Sequence, residues 1–143
     1  MPISNSSATW QGGLKGGKGT FQAGSGLFSG DYSFPTRFEG AKGTNPEELI
    51  AAAHAACFSM ALAAGLEKAG KTPERISTTA AASLDKVGDG FKITRIKLVV
   101  RGKVPGLDQA GFTQAAQAAK DGCPVSGALK GNVQMELEAT LEG

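Results

Sequence analysis

The sequence predicts an α+β fold: two antiparallel sheets beside helices, around one long buried central helix. Three observations carry this expectation. Glycines crowd the first 43 residues and punctuate short runs that read as strands. The stretch Asn45–Gly70 has a marked beginning and end, and holds no charge from Leu49 to Leu66. Val133, Met135, Leu137, Ala139 and Leu141 alternate with Gln134, Glu136, Glu138 and Thr140, the period of a half-buried strand.

In chain order, strands are expected near Thr9–Leu14, Lys18–Ala23 and Leu27–Phe34, joined by glycine turns. Pro35–Thr44 reads as an irregular loop bearing Arg37, Glu39 and Lys42. The long helix then starts with Asn45 as N-cap, Pro46 at the first helical position, and Glu47 and Glu48 in the first turn. Lys68, Gly70 and Pro73 mark its end. Arg75–Lys86 and Phe91–Val104 read as two strands joined by a turn at Gly88–Gly90. A bulge near Thr94–Arg95 is expected, because the apolar phase shifts between Ile93 and Ile96. Asp108–Asp121 carries Phe112, Ala115, Ala116 and Ala119 at helical spacing, and Cys123-Pro124 opens a further short helix.

The 143 residues suit a single domain, and a net charge of +2 gives no reason to expect nucleic acid or an acidic membrane surface as partner. The first ten residues have neither a basic nor an apolar segment of a signal peptide. Leu49–Leu66 has the length of a membrane span, but eight of its residues are alanine and no aromatic belt flanks it. A core helix is therefore expected and no membrane association. With two cysteines and no export signal, a cytoplasmic setting with reduced thiols follows. An all-round apolar helix of this length, ~36 Å, exceeds what a compact monomer encloses, so a homodimer is expected.

Cys57, in the middle of the helix, is either a plain core residue or a reactive thiol. Reactivity requires ionisation, which needs a cation nearby. The helix dipole fades within its first turn, so Arg37, Arg75, Arg95 and Arg101 are all candidates to supply it. His54, one turn before Cys57, invites comparison with a Cys–His nucleophile. No third residue orients it, and a core or interface histidine is the better reading. Cys57, His54 and Cys123 make no zinc spacing, and no metal is expected. Gly12–Gly19 resembles a phosphate loop but lacks the closing Ser or Thr and runs into a strand, so it reads as a hairpin.

Taken together, Thr36–Leu62 (TRFEGAKGTNPEELIAAAHAACFSMAL), Ser83–Thr94 (SLDKVGDGFKIT) and Gly122–Ser126 (GCPVS) resemble the OsmC/Ohr family, on its OsmC branch. The resemblance implies an OsmC-like fold over residues 1–143, built as an intertwined homodimer. It also implies a thiol peroxidase that reduces small organic hydroperoxides, with no bound cofactor. By the same resemblance, Cys57 matches the attacking cysteine and Cys123 the resolving one. Arg37 matches the arginine that stabilises the thiolate, and Glu47 the glutamate that holds that arginine. An external dithiol, of lipoyl type in family members, would reduce the Cys57–Cys123 disulfide. The apolar side chains of Phe58, Met60, Phe34 and Phe38 are expected to favour alkyl substrates. Ten residues, or about 15 Å of helix, separate Glu47 from Cys57, so Arg37 and Glu47 are expected to serve the cysteine of the other subunit. The alternative is a redox sensor or stress-related binding protein that uses the same cysteine pair without turnover.

Overall fold

A computed structural model describes all residues, 1–143, as two compact units, 1–46 and 47–143. The first holds β1 (Ser6–Gln11), β2 (Lys18–Ala23), β3 (Ser29–Tyr32) and a short helix α1 (Phe34–Phe38). Its strands form one antiparallel sheet in sequence order. Gly19 lies between two rings: a Cβ there would fall 2.6 Å from both Trp10 and Tyr32. The phosphate-loop lookalike is the β1–β2 hairpin, closed by the bond from Gly17 N to Gly13 O (2.8 Å) and by Trp10 Nε1 donating to Gly12 O (3.1 Å).

Pro35–Thr44 departs from the expected irregular loop, because its beginning is α1. Ser33 and Thr36 cap that helix reciprocally, Ser33 Oγ accepting from Thr36 N and Thr36 Oγ1 from Ser33 N, with Pro35 in the first turn. The box is hidden in the sequence because Thr36 stands where Glu or Gln is usual. Arg37 sits in the last turn of α1, where a cation suits the helix dipole.

The second unit contains α2 (Pro46–Lys68), β4 (Arg75–Val87), β5 (Gly90–Lys103), α3 (Gln109–Gly122), α4 (Pro124–Leu129) and β6 (Gln134–Leu141). Gly70 ends α2 with φ +78°, letting Lys71 N reach back to Leu66 O (2.8 Å) and Gly70 N to Glu67 O (2.9 Å). The expected bulge is present. Ser83 pairs with Arg95 and Leu84 with Ile93, which leaves Thr94 as the extra residue, and its hydroxyl donates to Asp85.

The second sheet has the order β4-β5-β6, and here the expectation of two antiparallel sheets fails: β5 and β6 are parallel. Alternation within β6 signalled a strand but carried no direction. Direction is set by the connection, since α3 and α4 return the chain to the starting edge before β6 begins. Gln109 fastens this crossover to the edge strand, donating to Ala139 O (3.0 Å) and accepting from Leu141 N (2.8 Å).

The core of this unit joins Phe58, Leu62 and Leu66 of α2, Ile96, Leu98 and Val100 of β5, and Phe112 and Ala116 of α3. Facing residues on β4 are small (Thr78, Ala80 and Ala82 opposite Val100, Leu98 and Ile96), and Ser59 Oγ hydrogen-bonds Thr78 Oγ1 at 2.7 Å. As expected of an apolar helix too long for one chain to enclose, this chain covers only one stripe of α2, Glu47, Ala51, His54, Phe58, Leu62 and Leu66. Ala52, Ala53, Ala56 and Ala64 are exposed, and Met60 keeps 75% of its surface. A helix of diameter ~10 Å has more circumference than one sheet and one helix can cover. By length and composition α2 would also cross a membrane, yet its buried stripe belongs to this sheet-and-helix core.

Gly102 has no room for a side chain, since a Cβ would lie 2.5 Å from the buried ring of Phe112. Gly102→Ala is therefore expected to lower stability by ~1–3 kcal/mol in urea unfolding. Gly127→Ala, where an added Cβ meets nothing within 4 Å, should be neutral or slightly stabilising.

Candidate active site

The stripe that buries α2 also aims its chemistry. Helical spacing places His54 and Phe58 in register with the core, and Cys57 on the edge of that stripe, half-buried. Cys123 comes from the junction of α3 and α4. Its N–H caps the end of α3, bonding Ala119 O at 2.9 Å, while its sulfur is the N-cap of α4 and accepts from Ser126 N at 3.3 Å. With Pro124 fixing the first turn, the Cys123 side chain is held from both sides and is 1% exposed.

Cys57 and Cys123, 66 positions apart in sequence, meet here as free thiols close enough for each to shift the other's titration. Burial pushes the Cys57 thiol up. The Val125 N–H works against that shift, and the neighbouring Cys123 adds to it. Burial also acts to raise Cys123. The Ser126 hydroxyl and N–H outweigh it together with Cys57 and the Val125 N–H, so this thiol ends below its ordinary value. Within the isolated chain the negative charge thus settles more readily on Cys123, and a Cys57 thiolate needs a cation from elsewhere.

Three of the four candidate arginines lie on the second sheet beside carboxylates: Arg75 and Arg101 with Glu142, and Arg95 with Glu136. Arg37 stands on α1 in the other unit, its guanidinium 5.3 Å from the Phe38 ring centre. Glu47 is in the first turn of α2 and is 5% exposed. Phe58 does not line a substrate wall as expected. It is fully buried in the core, because its position four residues after His54 puts it on the same stripe.

One participant went unnoticed in the sequence, and another, His54, is the core histidine expected but with a partner the sequence did not show. Ser126 lies three residues after Cys123, the spacing at which an N-cap side chain meets the helix, and it is 3% exposed. His54 is fully buried, with Nε2 2.8 Å from Ser126 Oγ, and Cys123 Sγ donates to the same oxygen at 3.4 Å. His54 therefore faces the serine across the fold and not the cysteine on its own helix.

Two free thiols thus stand together, Cys57 half-buried at the edge of the core and Cys123 buried within it, with hydrogen bonds that favour ionisation of Cys123. Residues 39–138 match the model of the OsmC-like protein family, and the chain belongs to that family. It is 54% identical over 132 residues to peroxiredoxin OsmC of Escherichia coli strain K12, covering 92% of each chain. It is 36% identical over 127 residues to organic hydroperoxide resistance protein OhrB of Bacillus subtilis, covering 87% of this chain and 91% of that one. Among solved structures, the organic hydroperoxide resistance protein OsmC of Legionella pneumophila superposes with a TM-score of 0.76 at 28% identity, over 98% of this chain and 99% of that one. OhrB of B. subtilis superposes with a TM-score of 0.72 at 30% identity, over 95% and 98%. The α+β architecture of two sheets and a long helix is thus that of the family.

Burial lowers the pKa of His54 from its usual 6.5. Between 6.5 and the lowered native value the unfolded chain holds a proton that the native chain lacks. This part of the stability is therefore present in full above pH 6.5 and falls as the pH drops below it. Urea midpoints measured across pH 7 to 5 should decline more steeply for the wild type than for His54→Gln.

Proposed function

We propose that this chain is a cysteine-based peroxidase, an oxidoreductase that reduces organic hydroperoxides to alcohols. The observation that carries the reading is the meeting of half-buried Cys57 and buried Cys123 as free thiols. The organic class of substrate follows from relatives named for organic hydroperoxide resistance. A Cys57 thiolate attacks the O–O bond, an alkoxide leaves and is protonated to the alcohol, and Cys57 becomes a sulfenic acid. The Cys123 sulfur then displaces that hydroxyl, giving a Cys57–Cys123 disulfide and water. An external dithiol, possessing two thiols as a lipoyl group does, restores both cysteines by exchange. Each step is two-electron sulfur chemistry and uses no bound cofactor.

The cation for Cys57 is assigned to Arg37, held by Glu47 through a charge-assisted pair. Glu47 stands ten residues, about 15 Å, before Cys57 on the same helix, too far for its side chain to bridge. The exposed apolar face of α2, with Ala52, Ala56 and Met60, suits a second copy of the chain. In this reading the working unit is a homodimer in the cytoplasm, where reductants keep both thiols available. Arg37 and Glu47 of one subunit complete the site around Cys57 of the other.

Two measurements test this. With cumene hydroperoxide and dihydrolipoamide the wild type should turn over continuously, and faster than with glutathione. Cys57→Ser should consume none, and Cys123→Ser should stop after one equivalent. A wild type that also stops after one equivalent is a redox sensor and not a peroxidase. Subunit exchange between inactive Cys57→Ser and Arg37→Ala proteins should recover about a quarter of the wild-type rate if the sites are shared across the dimer, and nothing if each subunit is self-contained.

A further inference from the structure

The peroxidase reading leaves one buried group without a role. His54 has no exposed surface, its Nε2 meets Ser126 Oγ at 2.8 Å, and its Nδ1 has no hydrogen-bond partner. An apolar residue there would avoid burying an unsatisfied ring nitrogen, so packing gives no reason for histidine. What the imidazole reaches through Ser126 is the thiol of Cys123, whose sulfur lies 3.4 Å from the same hydroxyl oxygen. Cys123 Sγ, Ser126 Oγ and His54 Nε2 form an unbroken chain of buried groups, each able to pass one proton to the next.

We propose that His54 is the base for the resolving thiol, drawing the proton of Cys123 through the Ser126 hydroxyl when the disulfide closes. With His54 as its Nδ1–H tautomer, the S–H donates to Ser126 and the serine O–H donates to Nε2, so every hydrogen points toward the imidazole. When Ser126 passes its proton to Nε2 and takes that of Cys123, the hydrogen bonds reverse without moving a heavy atom. The thiolate then accepts from Ser126 Oγ and from Ser126 N, already 3.3 Å away. Cys123 attacks the sulfur of the Cys57 sulfenic acid. The S–S bond forms, the S–O bond breaks, and its electron pair leaves with the hydroxide. That hydroxide becomes water with the proton His54 took up, and the imidazole is neutral again.

The facing groups are suited to this. Burial lowers the pKa of His54, so the ring rests neutral with an unprotonated nitrogen, and the same burial makes its protonated form short-lived, returning the proton once the hydroxide leaves. The titratable groups gathered on this chain of bonds are His54, Cys123 and Cys57, drawn from α2 and the α3–α4 junction. His54 touches no substrate and acts through Ser126, which makes both of them positioning and proton-handling residues for the second chemical step.

The inference rests on the peroxidase reading, and two measurements keep their failures apart. In the first, wild type, His54→Gln, Ser126→Ala and Ser126→Thr each receive one equivalent of cumene hydroperoxide. Disulfide formation is followed by mass and normalised to the sulfenic acid trapped at the start. Closure should be about ten-fold or more slower at pH 7 in His54→Gln and Ser126→Ala, and near wild type in Ser126→Thr, which keeps the hydroxyl. The loss should vanish as the pH nears 9, the ordinary cysteine value, where Cys123 ionises unaided. Wild-type closure in His54→Gln, or slowness that persists at pH 9, overturns the relay. In the second, thiolate absorbance near 240 nm is titrated in Cys57→Ser and in Cys57→Ser/His54→Gln, with no peroxide present. The double variant should titrate at higher pH, and coincident curves overturn the proposal. Should the wild type form no sulfenic acid, the peroxidase reading fails while this titration still decides the relay.

Discussion

The packing of one stripe of α2 against β5 sets everything else in the second unit. Phe58, Leu62 and Leu66 lock into Ile96, Leu98, Val100 and Phe112, and a helix is rigid enough that these contacts fix its rotation over its whole length. Once that phase is set, His54 has to point inward and Cys57 has to stand at the rim. Small side chains on β4 and the absence of one at Gly102 let the layers close to the needed spacing. The chemistry is therefore a consequence of core packing and not an addition to it.

The second cysteine is placed by a different device. Cys123 ends one helix and begins the next, so its backbone is committed to two caps and its side chain to a third hydrogen bond. A thiol held this way has little freedom to wander from Cys57. The hydrogen bonds that fix it also favour its ionised form, so position and reactivity come from the same atoms. Cys57 is served the other way round. Burial disfavours its charge, and what it needs must be delivered across an interface by Arg37, in the reading proposed for the dimer. In that reading one partner, a second copy of the chain, both covers the open apolar face of α2 and brings the cation.

Much of this was legible beforehand because it depends on local rules. Gly70 could be placed as the end of α2 because only a residue tolerant of positive φ suits that position. The bulge at Thr94 showed as a break in the period-two pattern, since one extra residue inverts every side chain that follows. The start of α4 at Cys123-Pro124 followed from the preference of proline for a first helical turn.

Other features depended on what lies far away in sequence. The direction of β6 is set by the path of α3 and α4, and alternation is the same in either direction. The open side of α2 could not be read from an apolar pattern that is uniform around the helix. His54 is the core histidine that its sequence position suggested, but its neighbour Ser126 is 72 residues on and could not be read from the helix alone. By itself the sequence determined the elements, their ends, the two cysteines and the family, since these are written in local periodicity, capping chemistry and residue type. Only the tertiary structure decided the parallel strand, the uncovered helix face and the His54–Ser126–Cys123 chain, because packing alone brings distant residues within hydrogen-bond range.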